Sequence, residues 1–364
     1  MLSKELCARY KSFLHSDEED FGIDREVPRC VSTCPAGCDA QGYIKLISEG
    51  RYEEAYSLIR ETIPFPATLG RICNHPCEAN CKRGFFDDPL AVAALKRFVG
   101  DTVLEKAGGK EEGEKGGGEG KKKEKREEKR EGKSKGENER GKRVAVVGAG
   151  PAGLTAAWRL AGKGYRVKVF EKLPVAGGML FAGIPPYRLP KEVLKKEIEA
   201  VVFSVAGEGR GEKIEVETGV EIGREEFERI RGEYDAVFVA VGADVSRRLE
   251  VEGEDLEGVV SSLDFLRDFN LGKGLERVAG KRVAVVGGGN VAVDAARSAL
   301  RLGCSEVTVV YRRSREEMPA SEVEVREAEE EGVKFMFLAS PTRILGSAAK
   351  VRGAGAGGGE GVGG

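Results

Sequence analysis

The chain has 364 residues, 40% of them hydrophobic and 33% charged, with a formal net charge of −2. That length allows two or three compact domains, and that hydrophobic share implies a folded body. The near-balance of charge excludes a nucleic acid or an anionic membrane as a partner selected by overall electrostatics.

The N-terminal stretch MLSKELCARYKSFLHSDEED turns acidic where a secretory signal would be apolar, and nowhere do eighteen apolar residues run together. A cytoplasmic location without a membrane span is therefore expected. Gln41 is the only glutamine, while Glu, Lys and Arg abound, a bias found in proteins from hot environments.

Two cysteine clusters come next. CVSTCPAGCDAQGY brings Cys30, Cys34 and Cys38, and CNHPCEANC brings Cys73, Cys77 and Cys81. In a reducing compartment such clusters indicate metal ligands or redox thiols before structural disulfides. Cys30-x-x-x-Cys34-Pro35 matches the end of the bacterial iron–sulfur run, in which the cysteine before proline serves a different cluster from its neighbours. Zinc also accepts four thiolates at similar spacings, whereas a catalytic disulfide finds no Cys-x-x-Cys pair here. Cys7 and Cys304 stand alone, and Cys304, beside an apolar strand, reads as a small buried residue. Apolar residues recur at helical spacing over Gln41–Ile59 and Leu90–Val103, which predicts a small helical domain over residues 1–105.

Residues 106–141 form a charged linker. From Gly108 to Arg140 no side chain is apolar, so nothing offsets the entropy of ordering and a disordered, solvated tether is expected. Beyond it β-rich runs alternate with helical ones: Arg143–Val147, Val167–Glu171, Ala236–Val241, Arg282–Val286 and Val307–Tyr311. That alternation predicts parallel sheets covered by helices.

The first dinucleotide fingerprint is KRVAVVGAGPAG, where an apolar strand runs straight into Gly148-x-Gly150-x-x-Gly153 and then a helical segment. Gly148 permits the tight turn, Gly150 lets a pyrophosphate approach the backbone, and Gly153 lets helix and strand pack closely. Pro151 and Ala152 open the helix whose N-terminus faces the phosphates. The next strand ends at Glu171, 23 residues after Gly148, where a carboxylate can accept both ribose hydroxyls of an adenosine lacking a 2′-phosphate. This module is expected over residues 142–280.

The second fingerprint, KRVAVVGGGNVAVDAA, places Gly287 and Gly289 after a strand, with Asn290 and Val291 opening the helix and Ala292 in the third glycine position. A methyl group there still allows close packing. No acid ends the following strand; Arg312, Arg313 and Arg315 stand there instead, and guanidinium groups at the ribose position favour the 2′-phosphate of NADPH. Solvated loop arginines are the plain alternative. The expected module covers residues 281–346, and the glycine-rich 347–364 reads as a disordered tail. Opposite adenosine-end chemistry at two sites indicates two different dinucleotides, most economically FAD at the first and NADPH at the second.

Four stretches in order, GRICNHPCEANCKRG, GAGPAGLTAAWRLAGKGYRVKVFEKLPVAGGMLFAGIPPYRLPKEVL, YDAVFVAVGAD and VAVVGGGNVAVDAARSALRLGCSEVTVVYRRSREEMPA, resemble the NADPH-dependent glutamate synthase small subunit and the N-terminal part of dihydropyrimidine dehydrogenase. The resemblance implies an α/β protein with an N-terminal all-helical 4Fe-4S domain and two Rossmann-like modules, the second incomplete because the family's return segment does not follow PTRIL. It implies one cluster on Cys34, Cys73 and Cys77 and another on Cys30 and Cys81. Here the usual upstream Cys-x-x-Cys pair is missing and Lys96–Arg97 occupies a helix position that supplies a ligand in relatives. One cluster on Cys34, Cys73 and Cys77 is therefore expected, with Cys30, Cys81 or Cys38 as fourth ligand. By the same resemblance the loop from Gly177 to Pro190, with Gly178 and Met179, shapes the flavin pocket, a simple turn being the alternative reading of its glycines and prolines, and Gly242 binds cofactor. The function implied is an NADPH-dependent FAD and iron–sulfur oxidoreductase that passes electrons to a partner subunit. No catalytic side chain is needed, because hydride transfer between stacked rings depends on positioning. The alternative is a truncated, non-catalytic dinucleotide-binding protein with a structural zinc or iron–sulfur domain.

Overall fold

A computed structural model describes residues 27–108, 141–207, 214–273 and 278–346. Cys7, the expected tether over 109–140 and the expected tail over 347–364 lie outside the described residues. The chain divides into two compact units, Met1–Gly177 with Tyr187–Val241, and Gly178–Pro186 with Gly242–Gly364.

The first unit opens with helices α1 (Arg29–Ser32), α2 (Ala40–Ser48), α3 (Tyr52–Arg60), α4 (Pro66–Ile72), α5 (Pro76–Ala79) and α6 (Val92–Gly108). Asp39 starts α2 by accepting the Gly42 N–H at 2.8 Å, which satisfies one of the helix's orphan donors. The apolar run expected as one stretch from Gln41 to Ile59 is two helices, because Gly50 takes a left-handed φ of +74° between them. Tyr43, Ala55, Ile59, Ile63, Val92 and Val99 form the core here, and Cys38 and Cys77 are buried among them. α4 and α6 touch backbone to backbone: a Cβ on Gly100 would fall 2.6 Å from the Ala67 nitrogen.

The rest of this unit is a parallel sheet in the order β3-β2-β1-β4, built from β1 (Arg143–Val147), β2 (Arg166–Glu171), β3 (Ile214–Thr218) and β4 (Ala236–Val239). Val144 pairs with Val167 on one side and Ala236 on the other. β1 is buried along Val144–Val147, the near-continuous apolar reading of a strand covered on both faces. Helices α7 (Pro151–Gly162) and α9 (Lys191–Gly207) cover the sheet; α8 (Met179–Ala182) belongs to the second unit, and α10 (Arg224–Glu233) precedes β4.

The second unit carries a parallel sheet of order β5-β6-β7, from β5 (Arg282–Val286), β6 (Glu306–Val310) and β7 (Lys334–Met336). Its core joins Val293, Ala296 and Ala299 of α12 (Asn290–Arg301) to Val307 and Val309 of β6 and to Val325 and Ala328 of α13 (Glu322–Glu330), with Leu266 of α11 (Ser262–Asn270). A buried arginine locks α12 to α13: the Arg297 guanidinium donates to Glu324 and Glu331 at 2.6 Å each. Cys304 is buried as expected, its thiol donating to the Val278 carbonyl at 3.2 Å. Among the described residues, no helix is long and apolar enough to cross a membrane.

Candidate functional site

The first glycine loop leaves β1 through Gly148, whose φ of +107° is a left-handed conformation. A Cβ there would fall 2.2 Å from the Ala240 carbonyl oxygen, and one on Gly153 would fall 1.9 Å from the Gly148 carbonyl oxygen. Both are contacts with backbone, so neither position admits a side chain without moving the turn. Gly150 is the N-cap of α7 and offers no side chain, and Pro151 holds the first helical position. The first turn of α7, through Ala152 and Gly153, therefore presents its amides at the loop as an anion cradle.

Glu171 at the end of β2 is only 5% exposed. Its carboxylate accepts the Ala149 N–H at 2.7 Å and the Leu173 N–H at 2.8 Å. The acid is thereby fixed against the middle of the glycine loop. Each oxygen keeps a further acceptor site for a ribose hydroxyl. Gly177 closes the same neighbourhood by donating its N–H to the Ala149 carbonyl at 2.8 Å.

The second loop repeats the geometry with different chemistry. Gly287 has a φ of +147°, and Gly289 is the uncapped N-cap of α12. A Cβ on Gly287 would lie 3.3 Å from the Ala292 methyl, so alanine fits in the third position only against glycine in the first. Gly288 is closed by Tyr311, whose ring would stand 2.3 Å from a Cβ there, while Gly289 faces open space and Val291 beside it is exposed. Two bonds fold the segment after β6 over this loop: Ala320 N–H to the Gly288 carbonyl at 3.0 Å, and Ser321 N–H to Asn290 Oδ1 at 2.9 Å. Asn290, expected to meet cofactor, thus uses its side-chain oxygen within the protein.

The three arginines separate. Arg312 and Arg313 are exposed, and no described side chain pairs with them. Arg315 donates both terminal nitrogens to Glu329 of α13, at 2.6 and 2.7 Å. Sequence reasoning missed Glu329 and the Tyr311 lid. An aromatic directly after β6 was a signal for the lid, but nothing in the spacing pointed to Glu329.

Gly178, Met179 and Gly242 lie in the second unit, directly after the two points where the chain leaves the first. Gly177 and Gly178 both have positive φ, +121° and +51°, and Gly178 starts α8, where Met179 is the first residue. Gly242, at φ +78°, follows β4.

All six clustered cysteines are free thiols. Cys30 lies in α1 and Cys34 just after it; Cys38 precedes α2, Cys73 caps the end of α4, Cys77 is inside α5, and Cys81 follows it. Burial pushes the Cys30, Cys38 and Cys77 thiols up, and neighbouring thiols add to it. Cys38 feels Cys34, Cys77 feels Cys73 and Cys34, and Cys30 feels Cys81. By these pairings Cys34, Cys38, Cys73 and Cys77 form one neighbourhood and Cys30 and Cys81 another, and Asp39, which acts on both Cys30 and Cys38, joins the two. Tyr43, 1% exposed, lies within electrostatic reach of Cys38, Cys77, Cys30 and Cys34. Lys96, 6% exposed on α6, acts on Cys38 and Cys77. Among the described residues no three Cys, His, Asp or Glu side chains close on a single ion as they stand. A soft, all-thiolate donor set of this kind fits an iron–sulfur cluster, whose irons are each held by a cysteine thiolate. The His75 N–H donates to Cys73 Sγ at 3.3 Å.

Known proteins share both halves of this arrangement. Residues 142–360 match the family model of pyridine nucleotide-disulphide oxidoreductases, and residues 4–108 match that of dihydropyrimidine dehydrogenase domain II, 4Fe-4S cluster. The chain is 47% identical to the NADP(+)-dependent formate dehydrogenase subunit beta of Moorella thermoacetica over 89% of its length and 45% of that protein. It is 39% identical to the NADPH-Fe(3+) oxidoreductase subunit beta of Geobacter sulfurreducens, over 89% of this chain and 44% of the relative. With the glutamate synthase [NADPH] small chain of Azospirillum brasilense it shares 33% identity over 94% of its length and 68% of the relative. The chain thus spans less than half the length of the first two.

Proposed function

The chain belongs to the pyridine nucleotide-disulphide oxidoreductase family, together with the glutamate synthase small chain, and on that premise we propose that it oxidises NADPH through FAD and delivers the electrons to a 4Fe-4S cluster and a partner subunit. When bound, the flavin accepts a hydride and releases electrons singly, which is the exchange that joins a two-electron donor to a one-electron cluster. The protein's own contribution is to place these groups.

The observation that carries the reading is the contrast between the two strand ends. At β2 a buried, backbone-held Glu171 suits the free ribose of FAD; after β6 Arg312 and Arg313, exposed and without a side-chain partner among the described residues, suit a 2′-phosphate. The amides at the start of α7 and of α12 would each hold a pyrophosphate, and the glycines at Gly148, Gly153, Gly287 and Gly289 keep each turn tight and free of side chains. Gly178, Met179 and Gly242 are proposed to border the flavin ring. Of the thiols, Cys34, Cys38, Cys73 and Cys77 are proposed as the cluster's ligands, because Cys34 acts on both Cys38 and Cys77, Cys73 acts on Cys77, and the Lys96 ammonium acts on Cys38 and Cys77.

Anaerobically purified protein tests this. Flavin absorption bands with a broad iron–sulfur shoulder, both bleached by NADPH and not by an equal concentration of NADH, are expected. A colourless, zinc-bearing sample would refute the reading and favour a structural metal domain.

A further inference from the structure

Helix α4 lacks a cap of its own. Its N-cap residue is Phe65, whose side chain accepts nothing, so the amides of Ala67 and Thr68 depend on another element. That element is α9. The Glu197 carboxylate, with no exposed surface, accepts the Ala67 N–H at 2.6 Å through one oxygen and the Thr68 N–H at 2.7 Å through the other. A carboxylate on two amides of a helix start is a short, charge-assisted fit to both the orphan donors and the helix dipole.

The location gives this contact a consequence. α9 packs on α7 and on β3 of the parallel sheet and also on α4 and α6 of the helical region. The carboxylate therefore ties the module that carries the Gly148 loop to the region that carries the thiols. The other end of α4 is held as firmly. Arg71 donates to the Ala67 carbonyl at 3.0 Å and pairs with both oxygens of Asp101 at 2.8 and 2.9 Å. Cys73 is the next residue but one, the C-cap of α4, with its N–H on the Leu69 carbonyl at 3.1 Å. Seven residues of helix make a rod of about 10 Å, too short to bend, so a displacement at Ala67 is passed on to Cys73.

We propose that Glu197 is a positioning residue, whose carboxylate, carried by α9 where it packs on the sheet of the first unit, caps α4 and thereby sets the place of Cys73 and of the cluster it serves for electron transfer. This rests on the electron path proposed above. Electron transfer is set by where donor and acceptor stand, so an element that fixes one of them acts on the rate without touching either.

The test uses the full chain loaded with FAD and iron, in wild type, Glu197→Gln and, as a control on the same helix, the exposed Glu199→Gln. Two signals are read: hydrogen exchange of the amides in 65–72, and the separate rates at which NADPH bleaches flavin and cluster. The expected result is slow exchange at Ala67 and Thr68 in wild type and in Glu199→Gln. In Glu197→Gln their exchange should rise about tenfold or more, as loss of one charge-assisted bond implies. Flavin bleaching should be unchanged in this variant, cluster bleaching slowed severalfold, and the electron paramagnetic resonance signal of the reduced cluster altered. Unchanged exchange, or cluster bleaching as fast as in wild type, overturns the proposal. If Glu197→Gln does not fold, Glu197→Asp, one methylene short, is read in the same way; fast exchange of the two amides in wild type overturns the proposal with no variant at all. A wild type whose cluster is never bleached by NADPH refutes the electron path itself, a result distinct from fast exchange.

Discussion

Replacing Arg312 and Arg313 by alanine should separate the two nicotinamide cofactors. A hydrogen bond to a charged group contributes about 1.5–3 kcal/mol. Both guanidiniums are exposed, so solvent screening lowers each contribution to about 1–1.5 kcal/mol. Together they are worth about 2–3 kcal/mol, or about 30- to 150-fold in the dissociation constant of NADPH. NADH has no 2′-phosphate and should change by about threefold or less. Arg315 is the internal control, because its guanidinium already holds Glu329 through two bonds. Arg315→Ala should leave NADPH affinity within about threefold of wild type and lower the thermal midpoint instead. The assay is titration of both cofactors at one salt concentration, repeated at higher salt, where the NADPH advantage of wild type should shrink. Equal loss for both cofactors in Arg312→Ala/Arg313→Ala, or an Arg315→Ala variant as impaired as that double variant, would falsify the assignment.

Iron analysis of single cysteine variants should follow the two thiol neighbourhoods: Cys34→Ala, Cys38→Ala and Cys73→Ala lose bound iron and loosen the helical region, whereas Cys81→Ala retains most of it; equal iron in Cys38→Ala and wild type would exclude Cys38 as a ligand. Gly289→Ala meets open space and should keep the thermal midpoint while weakening NADPH, whereas Gly153→Ala drives a methyl into the Gly148 carbonyl and should lower both midpoint and FAD content, as thermal melts and flavin release will show. Burial acts to raise the Glu331 carboxyl, but bonds from Arg301 and Arg297 prevail and hold it at about 2, below its ordinary 4.5. A depressed carboxyl stabilises the fold above its unfolded value and ceases to as pH falls through the folded one. The thermal midpoint should therefore drop between about pH 4.5 and pH 2, and Glu331→Gln should flatten that limb; a parallel acid limb in the variant would refute this.

What could be read from the sequence was what backbone sterics dictate. Gly148 and Gly153 occupy places where a Cβ would meet a carbonyl oxygen at 2.2 and 1.9 Å, so the residue type itself reports the turn. The strands β1, β2, β5 and β6 each carry a run of β-branched apolar residues, continuous in β1 where both faces are covered, and each was legible within a residue of its bounds. β3 and β7 were not. IEVET alternates charge with apolar residues and KFM has three residues, so neither carries enough signal to stand out from loop. Gln41–Ile59 has a continuous helical period, and only the left-handed Gly50 shows that the chain turns there.

The candidate site was legible to the extent that its chemistry is local in sequence. Glu171 lies a fixed distance after a glycine loop, and that spacing alone points to a ribose-binding carboxylate. Glu197 is also a buried carboxylate accepting two amides, yet its partners are 129 and 130 residues away, and it stands in KKEIEA, a surface-like helix run. The same physics divides the arginines. Three in four residues look alike as a phosphate clamp, but Glu329 reaches one of them from a neighbouring helix 14 residues on. Spacing finds groups that meet a ligand along one crossover; it does not find groups whose partner is supplied by a different element. For that reason the carboxylate joining the thiol region to the flavin module became visible only in three dimensions.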